Sequence, residues 1–330
     1  MVLRMIGLAA GGAVVLAFLL AAYASVKSSR IEAEHPPAGR FVEVAGLRLH
    51  YVDLPATVPQ ADDAPAILFV HGASANLNDS LLAFRAALEG RHRLIFVDRP
   101  GHGYSERGAN PGIAAPAAQA AVLAALLDRI GVRRAVVVGH SWGGAVAAAM
   151  GVLRPDRVAG LVFVAAATHP WPGGVEWYYR VAATPIVGPL FARTLVMPIG
   201  MASRDAGLKS VFDPNPEPDG YTGKVAVDLL FRPPEFVANA EDVFGLNANL
   251  AIQSRRYGEI RVPTTILSGN KDSVVYEELH SGGLARDIPG SRLIWLDGVG
   301  HMPHHAAGER VVTAIEEVVD LARGRALASR

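Results

Sequence analysis

The sequence predicts an α/β protein: a parallel sheet with helices on both faces, interrupted once by a helical insertion. Two observations predict it. Short, continuously apolar runs alternate with helical periodicity from about residue 66 to 167, which is the rhythm of strands buried on both faces and crossed over by helices. The rhythm stops for residues 168–258 and resumes at 264–323. A compact domain does not carry so long a structureless loop, so the break predicts an inserted subdomain. The chain has 330 residues, 31 basic and 31 acidic side chains and 51% hydrophobic residues, enough for a large core and against disorder.

From the N-terminus, residues 5–26 (MIGLAAGGAVVLAFLLAAYASV) carry no charge. As a helix they reach roughly 33 Å, enough for a bilayer core of about 30 Å. Residues 1–27 are read as a transmembrane signal anchor. The alternative is a signal peptide cleaved near Ala24, at Ala22-Tyr23-Ala24. The run exceeds the usual signal-peptide core, which favours the anchor, and its apolarity on all sides argues against a core helix. The expected location is membrane-anchored, with the remaining domain outside the cytoplasm. Residues 28–39, polar with a Pro-Pro step, are expected to be a linker.

The segment FVEVAGLRLHYVDL alternates apolar and polar residues around Ala45-Gly46 and predicts a hairpin. Strands follow at 66–70, 93–98, 135–139 and 161–167, with helices at 76–88, 114–130 and 142–153. The loop DPNPEPDG (213–220) lies within the insertion. After it come a strand ending near Asp272, a helix near 275–286, the run RLIWLDGVGH (292–301) and a C-terminal helix at 306–323. The implied division is a core of 40–167 and 259–330, with a helical lid at 168–258.

Several function classes drop out. Neutral charge and the lack of a basic stripe argue against nucleic acid. There is no cysteine, so disulfides, thiolate metal sites and cysteine nucleophiles are excluded. No dinucleotide or Walker-type glycine motif occurs, and no cofactor is expected.

The informative string is VVVGHSWGGA. Gly139-His140-Ser141-Trp142-Gly143 fits Gly-x-Ser-x-Gly between a strand and a helix, which holds a serine hydroxyl on a strained turn at the sheet edge. A serine hydroxyl needs a base to act as a nucleophile. His301, just past the last strand, is the candidate. Asp272 is the candidate acid that orients it, in the order serine, acid, histidine. The alternative role for Asp272 is a helix N-cap, and Asp297 is the second choice of acid. The N–H groups of Ala73 and Trp142 are the expected oxyanion donors. His71, Asp98 and His102 are read as loop braces. His304 and His305 lie close enough to His301 to suggest a metal cluster. Without a His-Glu-x-x-His motif, and with the serine motif already using a histidine, no metal is expected.

The strings FVHGAS, DRPGHGYS, GHSWGG, SGNKD and GHMP together resemble the α/β-hydrolase superfamily, in its lid-bearing esterase and lipase-like branch, over about residues 40–320. The resemblance implies an eight-stranded, mostly parallel sheet and an acyl-enzyme on Ser141. Haloalkane dehalogenases and epoxide hydrolases of this shape place an aspartate at that position, so the serine argues against both. The expected activity is hydrolysis of a small-molecule carboxylic ester, with an apolar lid and the anchor pointing to a lipophilic acyl group. Trp171, Trp177, Tyr178, Tyr179, Phe191 and Phe212 are candidate pocket residues, or else the lid's own core. The alternatives are a carbon–carbon bond hydrolase using the same triad and a non-catalytic binding protein of this fold.

Overall fold

The computed structural model describes residues 2–60 and 64–328. Eight strands form one sheet in the order β1-β2-β4-β3-β5-β6-β7-β8. The antiparallel part is the hairpin β1 (Arg40–Val44) and β2 (Leu47–Leu54), with β2 pairing on to β4 (Leu94–Val97). All other pairings, through β3 (Ala66–Val70), β5 (Ala135–His140), β6 (Val158–Val164), β7 (Thr264–Gly269) and β8 (Arg292–Leu296), are parallel.

The alternation of side chains along each strand splits the core into two layers. Ala66, Leu68 and Val70 of β3 and Ile95 and Val97 of β4 face one layer. It is closed by α3 (Pro116–Arg129), α4 (Trp142–Leu153) and α10 (Glu277–Asp287). Ile67, Phe69, Leu94 and Phe96 face the other, under α2 (Leu77–Leu88) and α12 (Gly308–Ala328). The rings of Phe69 and Phe96 stack there at 4.5 Å between centroids. Strand β6 starts three residues earlier than the apolar run suggested, because a register shift against β5 absorbs Ala159.

Between β6 and β7 the chain is helical: α5 (Trp177–Ala182), α6 (Val187–Phe191), a π-turn (Ala192–Val196), α7 (Met197–Phe212), α8 (Tyr221–Val225) and α9 (Pro233–Gln253). These helices share a small apolar core of their own, around Ala182, Ala192, Val196, Met197 and Phe236.

The polar segment after the N-terminal apolar run differs from expectation. One helix, α1, runs from Val2 to Glu34, so residues 28–34 of the expected linker are helical. Ala24 and Ile31, seven residues apart and therefore on one helix face, are buried in the core of the insertion. That tertiary contact keeps a polar sequence helical beyond the apolar run. The short α11 (Pro303–Ala306) precedes α12 and carries His304 and His305.

Candidate active site

The sheet topology sets the position of the site. Strand β3 sits between β4 and β5, so the loops leaving the carboxyl ends of β3 and β5 diverge and open a crevice between them. The β3 loop carries His71-Gly72-Ala73 and the β5 turn carries Ser141. The two nearly touch: a Cβ on Gly72 would lie 3.0 Å from the Ser141 Cβ.

Ser141 has φ +49° and ψ −121°, a strained geometry for a residue with a side chain. Two glycines allow the tight turn from strand to helix. A Cβ on Gly139 would lie 2.6 Å from the Gly143 carbonyl oxygen, and one on Gly143 would lie 2.2 Å from that of Val70. The turn is fastened from both sides: the Ser141 N–H donates to Val164, and its carbonyl accepts from Gly144 and Ala167.

The side chains named from sequence converge here. His301 Nε2 lies 3.1 Å from Ser141 Oγ, and His301 Nδ1 lies 2.8 Å from Asp272 Oδ2. With Nδ1 donating to the carboxylate, Nε2 is left to accept the serine proton. While Asp272 Oδ2 takes the imidazole, Oδ1 accepts the N–H groups of Val274 and Val275 at 2.9 Å each. These bonds close a turn and do not cap a helix, since α10 starts later, at Glu277, with Tyr276 in the capping position. Asp297 is exposed and bonds Asn270 instead, so it has no part in this array.

Arg99, fully buried, holds the β3 loop, a role the sequence did not reveal. All five of its guanidinium N–H groups have acceptors: the carbonyls of His71 and Gly72, Gln119, His102 and Asp242 of α9. Its planar head also lies 4.1 Å over the Trp142 ring, whose Nε1 donates to the Asp242 carbonyl. The Gly72 carbonyl is gripped twice, by Arg99 and by His71 Nδ1. A trans peptide places the next N–H on the opposite side, so the Ala73 N–H is turned away from Arg99. The Trp142 N–H belongs to the first turn of α4, where helices leave donors free.

His71, Asp98 and His102 are braces. His71 Nε2 accepts the Arg99 N–H, and burial, reinforced by Arg99, brings its pKa down to about 3. His102 is likewise held neutral by burial and Arg99. Asp98 accepts from His50, Leu77 and Tyr104.

His304 and His305 have a definite partner. Their Nε2 atoms bond the two oxygens of buried Asp79 at 2.9 and 2.8 Å, and the Tyr221 hydroxyl adds a third donor at 2.8 Å. Burial alone would raise the Asp79 carboxyl, but these donors outweigh it and hold it well below the ordinary carboxylate range. Burial also lowers His304, so it donates as a neutral imidazole. The three residues offer atoms within 4.8 Å of one another, a set that suits a divalent cation, yet each of those atoms is already hydrogen-bonded in the cluster. His140 connects the cluster to the site. Its ring lies 4.4 Å from that of His304, and its Nε2–H donates to the His301 carbonyl at 3.0 Å.

Of the aromatics proposed for a pocket, Phe212 is buried against Tyr221 and Met302, and Trp177 is largely exposed. Tyr179 lies beside the loop after β3, with its hydroxyl 3.3 Å from Ser74 Oγ. A cavity of about 550 Å³ lies elsewhere, between α1 and the loop of residues 101–107, and none of the residues lining it is Ser141, Asp272 or His301.

The sequence profile of the alpha/beta hydrolase family matches residues 67–314. The chain belongs to this family. An uncharacterized protein of Mycobacterium tuberculosis is 29% identical over 86% of this chain and 82% of its own. Among solved structures, a thermophilic esterase from Thermogutta terrifontis is 26% identical, with TM-score 0.61 over 86% of this chain and 99% of its own. A bacterial membrane phospholipase A, 22% identical with TM-score 0.61, aligns over 98% of both chains. A haloalkane dehalogenase and an enol-lactonase are also among the relatives and similar structures. For this α/β hydrolase, kinship supports a hydrolase and leaves the scissile bond to be argued from the site.

Proposed function

We propose that this α/β hydrolase cleaves carboxylic esters of lipophilic acyl groups through an acyl-enzyme on Ser141. One observation carries the reading: the unbroken chain of hydrogen bonds from Asp272 through His301 to a serine on a strained, glycine-flanked turn. Ser141 Oγ attacks the ester carbonyl as His301 Nε2 takes its proton, and Asp272 stabilises the imidazolium. The N–H groups of Ala73 and Trp142 receive the oxyanion, the first pre-aimed by the Arg99 grip on the Gly72 carbonyl. His301 then protonates the departing alkoxide. Next it activates a water that releases the acid and restores Ser141.

A serine nucleophile weighs against dehalogenase chemistry. The esterase likeness, and the phospholipase that aligns along nearly the whole chain, support an ester and a lipid-like acyl group. Helix α1 is long and apolar enough to cross a membrane and is read as the anchor, with the helices between β6 and β7 as a lid over the site. A fluorophosphonate probe tests the chemistry. Wild type is expected to be labelled and Ser141→Ala not; a panel of p-nitrophenyl esters then ranks chain length. A folded wild type that resists the probe overturns the serine mechanism.

A further inference from the structure

The helical run formed by α6, the π-turn and the start of α7 is apolar on two faces. One face, with Ala192, Val196 and Met197, is buried together with Ala24 and Ile31 of α1. The other is not covered. Val187 and Leu190 are 51% and 60% exposed, Leu195 and Ile199 are 40% and 54%, and Ile186 is 87%. Positions 186, 190, 195 and 199 are four, five and four residues apart, with the five-residue step falling across the π-turn, so they follow one side of the run. Trp177 is 57% exposed, and its ring lies 6.1 Å from that of Phe191. A helix apolar all round belongs in an apolar environment, and a continuous exposed apolar face marks a surface that meets something. Ile186 adds strain: a β-branched residue at φ +67° is a true outlier, kept here at the tip of the exposed face.

Two features select the occupant. Residues 177–200 contain two arginines and no acidic side chain. Both, Arg180 and Arg193, are exposed and form no ion pair among the described residues. The run is also placed where α1 leaves its apolar stretch. Arg193 lines a groove with Ala21, Ala24, Ser25 and Ser28, within about two turns of Lys27, the first charge after residues 5–26. Leu190 precedes Arg193 by less than one turn.

From this we infer that the outer face of residues 186–199 lies in the membrane–water interface beside α1, its apolar side chains among acyl chains and Arg180 and Arg193 at anionic headgroups. A tryptophan beside it suits that level. The inference rests on the reading of α1 as an anchor and adds a second contact, which holds the insertion against the bilayer.

The absence of cysteine makes a direct test available. Leu16→Cys, Leu190→Cys and Ile252→Cys, each in the full chain, receive an environment-sensitive fluorophore. They are reconstituted into phosphatidylcholine–phosphatidylglycerol vesicles. Ile252, on α9, is 72% exposed and serves as an apolar position on another helix. Brominated phosphatidylcholine is expected to quench the labels at 16 and 190 severalfold more than the label at 252, which iodide reaches instead. Quenching by brominated lipid at 16 but by iodide at 190 overturns the interfacial face and leaves the anchor standing. A label at 190 shielded from both quenchers overturns it in favour of a second copy of the chain. No lipid quenching at 16 removes the anchor, and the inference with it.

Discussion

The loop and short helix after β8 carry two carboxylate–imidazole clusters a few residues apart, and they are put to opposite uses. His301 receives its carboxylate from Asp272 and passes on to Ser141 Oγ, which is partly open to solvent. His304 and His305 receive theirs from Asp79, where a tyrosine hydroxyl supplies the third donor. Among the described residues no hydroxyl bonds His304 Nδ1, which is buried without a partner. The lesson is that an Asp–His pair becomes reactive through what lies past the imidazole. Closed by Tyr221 and sealed in, the same pair is a clasp that ties α2, α8 and α11 together.

Mutation should separate the two clusters. The largest effect expected is for Ser141→Ala, with kcat/KM down by about 10⁴-fold or more and an unchanged melting temperature. Steady-state ester hydrolysis and a thermal melt read the two quantities. Asp272→Asn keeps an oxygen for Val274 and Val275 but presents the wrong partner to His301. It should lower kcat by about 10³–10⁴-fold with little loss of stability. Asp79→Asn should do the reverse, costing about 3 kcal/mol of stability by urea titration while folded enzyme keeps activity within about tenfold. If the Asp79 variant lost activity as completely as the Asp272 variant, the distinction between clasp and catalyst would be wrong.

Two smaller effects are expected. Arg99→Lys keeps the charge but cannot grip both loop carbonyls and Asp242 at once. With the Ala73 N–H no longer held, kcat should fall about 10²-fold with KM nearly unchanged, as for a weakened oxyanion donor. The smallest effect concerns acid. His71 (about 3), His102, His140, His280 (about 4) and His304 all have pKa values below 6.5 in the fold, chiefly through burial. The unfolded chain therefore binds more protons below pH 6.5, so stability is complete above that pH and is lost as pH falls. Each histidine should contribute up to about 1.4 kcal/mol per pH unit. Replacing His304 with glutamine should flatten the dependence of melting temperature on pH between 6.5 and 5 by one such share.

The strand–helix rhythm and the array of Ser141, Asp272 and His301 were legible because each depends on local pattern: apolar runs, a glycine-flanked turn, and positions just after strands. What escaped depends on distant partners. Asp79 lies 225 residues from His304 in sequence, and Asp242 lies 143 from Arg99; no local signal connects either pair. The helical form of residues 28–34 escaped for the same reason, since the helix there is stabilised by Ala24 and Ile31 packing on the insertion. Phe212 shows the limit of composition: an aromatic in the insertion can as readily fill a core as line a pocket.

The unbroken course of α1 through residues 24–34 has a mechanical consequence. A helix fixes angle as well as distance, so the apolar stretch and the folded domain turn as one body with no swivel between them. One extra residue placed before Ala24 would leave the docked face in register. It would lift the domain by only about 1.5 Å, yet rotate the apolar stretch about 100° relative to it. The azimuth of the domain is thus written in the length of the helix, and it can change only in steps of one residue.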